Sequence, residues 1–284
     1  MKLSMPTHPT RQSVPEGDDL FGIYRNMVLY DFQKEFHSGF FVSYYRNFTI
    51  PSTAKVLAER GEMQHRPMKR SYDTAIVIHE IITGGFDSER GQAMIELLRR
   101  VHKGVPGTSE DFMYVLMTLL VLPLRWIEKH GWRKLTSLEE QAAVAFYAEL
   151  GRRMGLADAA PETLEEAGRF LDEYEDRKLA PSPEGAMLLD STVEAIKIRL
   201  PKPLQPMTLR VLALMMDKPQ VTTALGLKRS PRWLQVIFNA VVRCRAIRAR
   251  MQPLPTNPAF VPGKIAVSVY PGGYTLDQIG PKAS

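Results

Sequence analysis

The most constraining feature of the sequence is its most hydrophobic run, FMYVLMTLLVLPL, which extends from Phe112 to Leu124. A helix that crosses a bilayer needs roughly 20 apolar residues, so this run is too short to span one, and Pro123 interrupts it. A helix that is apolar on all sides has to be covered by other elements. The run therefore predicts a buried central helix, which Pro123 can bend.

Helical patterns before and after this run predict an all-α fold. Apolar residues recur at steps of three and four, first from Gly22 to about Arg46 and later in segments such as AAVAFYAELGRRMG. A capping box opens the latter, either Thr136 with Glu139 or Ser137 with Glu140.

The chain shows no internal repeat and no clear linker, which indicates a single domain. We predict a flexible N-terminal tail over residues 1–19, one helical domain over residues 20–250 and an irregular C-terminal tail over residues 251–284. The run KIAVSVY is the only strand-like stretch of the second tail.

Composition limits the class of protein and its compartment. The chain has 284 residues, of which 44% are hydrophobic, enough for a substantial core. Its one cysteine, Cys244, excludes an intramolecular disulfide and any cysteine-rich metal or iron–sulfur site. The first 19 residues lack the apolar segment of a secretory signal. We therefore expect a cytoplasmic protein.

Positive charge is concentrated near the C-terminal end. The net charge is +6, and the segment from Lys228 to Arg250 alone carries seven basic residues and no acid. A helix there, with Trp233, Ile237 and Val241 on one side, could contact anionic lipid or could simply be the solvated face of a packed helix. No zinc-finger or RNP-like pattern is present, so we expect no nucleic-acid partner.

Several familiar catalytic motifs are missing. His79 and Glu80 begin like the zinc motif HExxH, but the second histidine does not follow. Glu62 and His65 form one Glu-x-x-His pair, whereas a ferritin-like di-iron site needs two. The absence of GxGxxG, Walker A and GxSxG patterns leaves nucleotide binding and hydrolase chemistry without support.

One histidine occupies an apolar position of a helix. His102 continues the stripe formed by Met94, Leu97, Leu98 and Val101, just before Gly104 and Pro106 end the helix. Periodicity leaves two interpretations open. His102 is either a core residue with hydrogen-bonded nitrogens or a neutral imidazole offered as a metal ligand from the floor of an apolar pocket.

A second helix combines polar and apolar residues on one stripe, namely Arg70, Thr74, Val77, Ile78 and Ile81. The planar guanidinium of Arg70 suits a carboxylate such as a haem propionate, but a surface arginine fits the pattern equally. The Thr74 hydroxyl could bind a ligand or bond back to its own helix.

Three sequence segments together resemble a known family. They are FFVSYYRNFTIPSTAKVLAERGE, then KRSYDT, and then RRVHKGVPGTSEDFMYVLMTLLVLPLRWIEKHGWRKLTSLEEQ. FYAELGRRMG and the dipeptide at Tyr174 and Glu175 extend the similarity, which covers about Phe40 to Arg250. The combination is similar to the MpaB-type oxygenases and the latex-clearing proteins, or rubber oxygenases.

The resemblance implies a fold, a cofactor and a reaction. The family fold is all-helical with a globin-like core, and its rubber-cleaving members bind haem b through one proximal histidine, which matches His102. An Arg-x-x-x-Thr pair in the haem pocket matches Arg70 and Thr74. Such enzymes use dioxygen to split a carbon–carbon double bond of an isoprenoid chain, and MpaB-type members shorten a prenyl side chain.

Two departures from the rubber-cleaving pattern are visible. Those members have a lysine directly before the threonine, where this chain has Asp73, a position at which the MpaB-like subgroup accepts an acid. As an acid near the start of its helix, Asp73 would also be stabilised by the helix dipole. The rubber-cleaving members also have an acidic residue upstream of the arginine. Glu59 and Glu62 are both candidates for that acid in this chain.

The resulting hypothesis is a haem b-dependent oxygenase that uses dioxygen on an apolar or isoprenoid substrate. His102 is the proximal iron ligand, Arg70 and Thr74 shape the pocket and steady the haem, and Asp73 assists in proton handling. His79 is a rival ligand. The alternatives are a helical carrier of haem or lipid that performs no catalysis, and a peripheral membrane protein that uses the basic helix.

Overall fold

The computed structural model describes residues 19–156, 160–198, 201–264 and 267–281, and these ranges contain helices and irregular segments but no β-strand. The predicted all-α fold is confirmed. The predicted tail at residues 1–19 lies, except for Asp19, outside the described residues. The α-helices are α1 (Leu20–Asn26), α2 (Gln33–Arg46), α3 (Pro51–Glu59), α4 (Glu62–His65), α5 (Pro67–Gly84), α6 (Glu89–His102), α7 (Ser109–His130), α8 (Ser137–Met154), α9 (Leu164–Lys178), α10 (Pro183–Lys197), α11 (Thr208–Met215), α12 (Pro219–Ala224) and α13 (Arg232–Met251).

Helix α7 is the predicted buried central helix, and α2 lies closely against it. A Cβ atom added to Gly39 of α2 would lie only 2.3 Å from Cα of Pro123 in α7, so only glycine permits this approach. Ser43, one turn further along α2, donates a hydrogen bond of 2.7 Å to the Thr118 carbonyl of α7. Pro123 thus lies inside the helix at its closest contact with α2.

The first predicted helix is interrupted, contrary to the continuous pattern from Gly22 to Arg46. A five-residue π-helical segment, Met27–Asp31, follows α1, and Phe32 leaves the helical region with φ −126° and ψ 34°. The Phe32 ring is fully buried, with the guanidinium of Arg133 4.6 Å from its centre and the Trp132 ring stacked at 6.0 Å. Burial of this ring accounts for the break, since tertiary packing overrides local propensity.

Threonine side chains cap two of the long helices, one of which the sequence analysis predicted to begin with a capping box. Of the two capping boxes considered for α8, the structure contains Thr136 with Glu139. Thr108 and Asp111 form a second box at the start of α7. Each box satisfies backbone N–H groups that the first turn of a helix leaves unpaired.

The predicted C-terminal tail is irregular, but it packs onto the helical domain. Phe260, Tyr270, Tyr274 and Ile279 are all buried in the core. The Ala259 N–H donates to the Leu29 carbonyl at 2.8 Å, which ties the segment to the π-helical turn. The strand expected in KIAVSVY is not formed by its described part, where Val267 and Tyr270 make only an isolated bridge.

A buried ionic cluster joins α2, α9 and the segment before α12. The Arg46 side chain is wholly buried and donates to Glu175 Oε1 at 2.5 Å and to Asp217 Oδ1 at 2.7 Å. Lys218 Nζ bridges Glu175 and Asp172 at 2.9 and 2.7 Å. Burial alone would lower the pKa of Arg46, but Asp217 and Glu175 outweigh it and raise that pKa above its usual range.

Within the described part of the chain, no helix is long and apolar enough to cross a membrane.

Replacing Arg46 with Ala should lower the free energy of unfolding by about 3–5 kcal/mol, because the carboxylate of Glu175 would stay buried without a full counter-charge. Urea denaturation followed by circular dichroism measures the change. Lys55→Ala is the matched control: Lys55 pairs with Glu59 at 3.9 Å in solvent, where an ion pair stabilises little. Equal losses in the two variants would contradict a structural role for the Arg46 cluster.

Candidate functional site

Arg70 and Thr74 form a connected pair on α5. The Thr74 hydroxyl donates to the Arg70 carbonyl at 3.0 Å and accepts a hydrogen bond from the Arg70 guanidinium. Of the two interpretations of Thr74, its bond back to its own helix is therefore present. This bond also points the hydroxyl oxygen at Arg70, so that Thr74 holds the guanidinium in place.

His102 is the last residue of α6, where the sequence predicts the helix to end. Its Nδ1 atom hydrogen-bonds the Leu98 carbonyl at 2.8 Å. Because a carbonyl can only accept, Nδ1 carries the hydrogen and Nε2 is left with a lone pair. The Phe112 ring at the start of α7 lies edge-on at 6.1 Å. A half-buried imidazole oriented by a carbonyl has the usual arrangement of a metal-ligating histidine.

The structure brings His102 into the electrostatic reach of Arg70. Burial lowers the pKa of His102, the hydrogen bond to Leu98 opposes that change, and the positive charges of Arg70 and Arg60 lower it further. Arg60 is held nearby by its hydrogen bond of 3.3 Å to the Val101 carbonyl. His102 is therefore neutral at pH 7, as a metal ligand must be.

Tyr44 of α2 is a member of this site that sequence reasoning missed. Its hydroxyl oxygen is buried and has no hydrogen-bond partner among the described residues. Burial raises the pKa of Tyr44, while the nearby Arg70 lowers it in part. A buried hydroxyl without a partner is costly, so Tyr44 is a candidate hydrogen-bond donor to a bound molecule. In the sequence, Tyr44 belongs to the run FFVSYYRNF, which is part of one of the three segments that carry the family resemblance.

His79, the rival ligand, belongs to a different environment. It lies nine residues after Arg70 on α5, and at about 100° per residue the two side chains leave opposite faces of the helix. Rings of Phe36, Phe40 and Phe260 surround His79 at 5.9, 6.4 and 5.3 Å. Burial lowers its pKa to about 4, although its hydrogen bond to the Ala75 carbonyl raises it. These contacts describe a histidine packed in an aromatic core.

Asp73 does not join Arg70 and Thr74. One carboxylate oxygen accepts from Lys69 Nζ at 2.6 Å and from the Gly280 N–H at 2.9 Å, and the other accepts from the Tyr270 hydroxyl at 2.5 Å. The structure thus does not bring Asp73 together with the other predicted site residues, and its role in proton handling stays a prediction. With both oxygens occupied, Asp73 anchors the C-terminal segment to α5.

The two candidates for an upstream acid are engaged elsewhere. Glu59 pairs with Lys55 in solvent, and Glu62 pairs with Arg66 at 2.5 Å. Within the described part of the chain, neither carboxylate hydrogen-bonds to Arg70, Thr74 or His102. The described residues also hold no cluster of three or more His, Cys, Asp or Glu side chains suited to a metal ion. Geometry thus assigns no general base.

A surface groove of about 630 Å³ lies between α7, α8 and α9. Its wall is rich in charged residues, including Glu128, Glu140, Asp172 and Asp176. None of the predicted site residues lines it. Such a wall disfavours an apolar ligand, and the candidate site is therefore placed at Tyr44, Arg70, Thr74 and His102.

Comparison with known proteins locates the chain in one family. A family profile described as "ER-bound oxygenase mpaB/B'/Rubber oxygenase, catalytic domain" matches residues 38–249. ER-bound oxygenase mpaB' of Penicillium brevicompactum is 27% identical over 277 residues, covering 91% of this chain. The chain spans 65% of that relative, which is less than two thirds of its length. ER-bound oxygenase mpaB of Penicillium roqueforti (strain FM164) is 26% identical, with 74% of this chain and 76% of the relative covered.

A solved structure shares the fold. It is titled "Structure of Latex Clearing Protein LCP in the closed state" and aligns with a TM-score of 0.55 over 84% of this chain and 67% of that chain, at 20% identity. The profile match thus gives the class of protein, a member of an oxygenase family, and the solved structure shows that the all-helical fold is shared. The chain belongs to the mpaB/B' and rubber oxygenase family, as the shared motifs indicate.

Replacing Asp73 with Asn should loosen the C-terminal segment, because the amide cannot accept from Lys69, Tyr270 and Gly280 as a carboxylate does. Hydrogen exchange at residues 270–281 should become faster, and the free energy of unfolding should fall. Asp87→Asn, at an exposed position, is the control. Unchanged exchange at residues 270–281 would show that Asp73 does not anchor this segment.

Proposed function

We propose that the chain is a haem b-dependent oxygenase acting on an apolar, alkene-containing substrate. The observation that carries the proposal is His102, whose Nδ1 atom is anchored to the Leu98 carbonyl so that Nε2 is left with its lone pair beside Arg70. One neutral histidine with a fixed tautomer is a donor suited to haem iron. The names of the relatives, an oxygenase and a latex clearing protein, support the same reaction class.

The residues at the site fit such a cofactor. His102 would hold the iron, and the guanidinium of Arg70 would pair with a propionate, whose planar carboxylate it matches. The buried Tyr44 hydroxyl lacks a partner among the described residues and would gain one from a bound polar group. Apolar residues such as Val77 and Ile78 on α5 would contact the porphyrin edge.

Each side chain has a distinct task in this proposal. Haem, when bound, would supply the iron chemistry that activates dioxygen. The bond to Leu98 orients the His102 imidazole, which would hold the iron, and Thr74 fixes Arg70 so that the guanidinium need not be ordered on binding. The Tyr44 hydroxyl would donate a hydrogen bond to a polar group bound in the site. The surrounding apolar side chains exclude water and would contact the apolar part of a substrate.

A carrier that binds haem or lipid without turnover is the second candidate. The absence of an assigned general base among Asp73, Glu59 and Glu62 favours it. Oxygen consumption separates the two functions: uptake with a prenylated or fatty alkene supports the oxygenase, whereas stable haem binding without uptake supports the carrier. The cytoplasmic location stays a prediction, because the two fungal relatives are named ER-bound.

Purified protein supplied with haem should show a Soret band, and His102→Ala should abolish it or shift it strongly, because the iron would lose its protein ligand. His79→Ala is the matched control, because His79 lies on the face of α5 opposite Arg70, and this variant should keep the Soret band. Absorbance spectra of both variants, with folding checked by circular dichroism, provide the measurement. The reverse pattern would make His79 the ligand.

Arg70→Ala should lower haem occupancy several-fold, since a charge-assisted pair with a propionate would be lost. The pyridine haemochrome assay gives occupancy directly. Arg169→Ala removes an exposed arginine from α9 and should leave occupancy unchanged. Equal occupancy in the wild type and Arg70→Ala proteins would rule out a propionate contact.

Tyr44→Phe should change the stability of the haem-free protein and the stability gained on haem binding in opposite directions. Without haem, removal of a buried unpaired hydroxyl should leave stability equal or raise it by up to about 1–3 kcal/mol. With haem, the variant should gain less stability on binding than the wild type, which thermal denaturation with and without haem reports. A loss of stability in the haem-free variant would mean that the hydroxyl already has a partner.

A further inference from the structure

Helix α13 exposes an apolar face to solvent. Trp233, Ile237, Ile247 and Met251 are 59%, 50%, 52% and 81% exposed, and together with Ala240 and Cys244 they recur at alternating steps of four and three. Such spacing places them on one stripe of the helix. Contiguous exposed apolar surface of this kind marks an interaction site.

The helix is held to the body of the protein by its other side. Leu234 is buried, and Phe238, Val242, Ala246 and Ala249 are half-buried. Val242 and Arg245 line a small cleft with Trp126 and His130 of α7. The exposed stripe therefore faces away from the domain, and no described residue covers it.

Charge surrounds this stripe. Arg232, Arg243 and Arg250 flank one edge of the stripe, and Arg248 lies at the other; all four are exposed. The segment from Lys228 to Arg250 carries +7, which leaves −1 for the remainder of the chain. An apolar stripe with arginines on both edges matches the boundary between lipid headgroups and acyl chains.

We propose that α13 docks the protein on an anionic membrane surface, lying in the plane of the bilayer. The apolar stripe enters the acyl boundary, and the flanking arginines contact lipid phosphates. The 20-residue helix presents about 30 Å of length to the surface.

Two features favour a bilayer over a second copy of the chain. With Val236, which is 66% exposed, the apolar arc spans about 100° before it reaches Arg248, wider than the narrow seam of a coiled coil. A symmetric pair of α13 helices would also bring two +7 segments together, and like charges repel at that distance. Anionic lipid instead supplies the opposite charge.

The test uses the full chain and vesicles of phosphatidylcholine with or without phosphatidylserine. The protein should sediment with the anionic vesicles at low salt, and high salt should release it. The variant R232Q/R243Q/R250Q should bind about a hundred-fold more weakly, the scale expected for three arginines near an anionic leaflet. The variant K55Q/R152Q/R169Q removes the same charge from exposed positions on α3, α8 and α9 and should bind like the wild type.

A second measurement identifies the inserted face. Lipids brominated on the acyl chain should quench tryptophan emission, and W233F should abolish most of that quenching while the protein still binds. Three results would overturn the proposal. The α13 variant and the control variant could lose vesicle binding equally, or W233F could leave the quenching unchanged. The third is self-association of the protein that buries Trp233 without lipid. Circular dichroism confirms folding, and haem is not needed for either measurement.

Discussion

The contact of the Arg46 guanidinium with Glu175 and Asp217 fixes the position of α2, and the site depends on that helix. Arg46 is wholly buried, so its charge has to be matched inside the protein. It lies only two residues after Tyr44, and Ser43, directly before Tyr44, bonds to α7. The same helix therefore carries the charge pair that orders three parts of the fold and the hydroxyl that faces Arg70.

The candidate site is assembled from helix ends and single turns. His102 closes α6, Arg70 and Thr74 share one turn of α5, and Tyr44 approaches from α2. Each side chain is oriented by its own helix or its neighbour: His102 by the Leu98 carbonyl and Arg70 by Thr74. Such local bonds hold donors in place before any ligand arrives, which lowers the entropy lost on binding.

Much of this arrangement could be predicted from the sequence. Periodicity identified the central helix, the end of α6 at His102 and the capping box of Thr136 because these are local properties. It did not reveal the break at Phe32, which depends on Trp132 and Arg133 a hundred residues away. The partners of Asp73 were equally hidden, since Tyr270 and Gly280 reach it only through the folded C-terminal segment.

Two acids of α5 bind the C-terminal segment, Asp73 through Tyr270 and Glu80 through Tyr274. The family profile ends at residue 249, before either tyrosine. A chain cut where the family profile ends would leave both carboxylates buried without these phenols, and it would uncover His79 as Phe260 departed. In this protein the end of the family profile and the last contact of the C-terminal segment with α5 are thus some thirty residues apart.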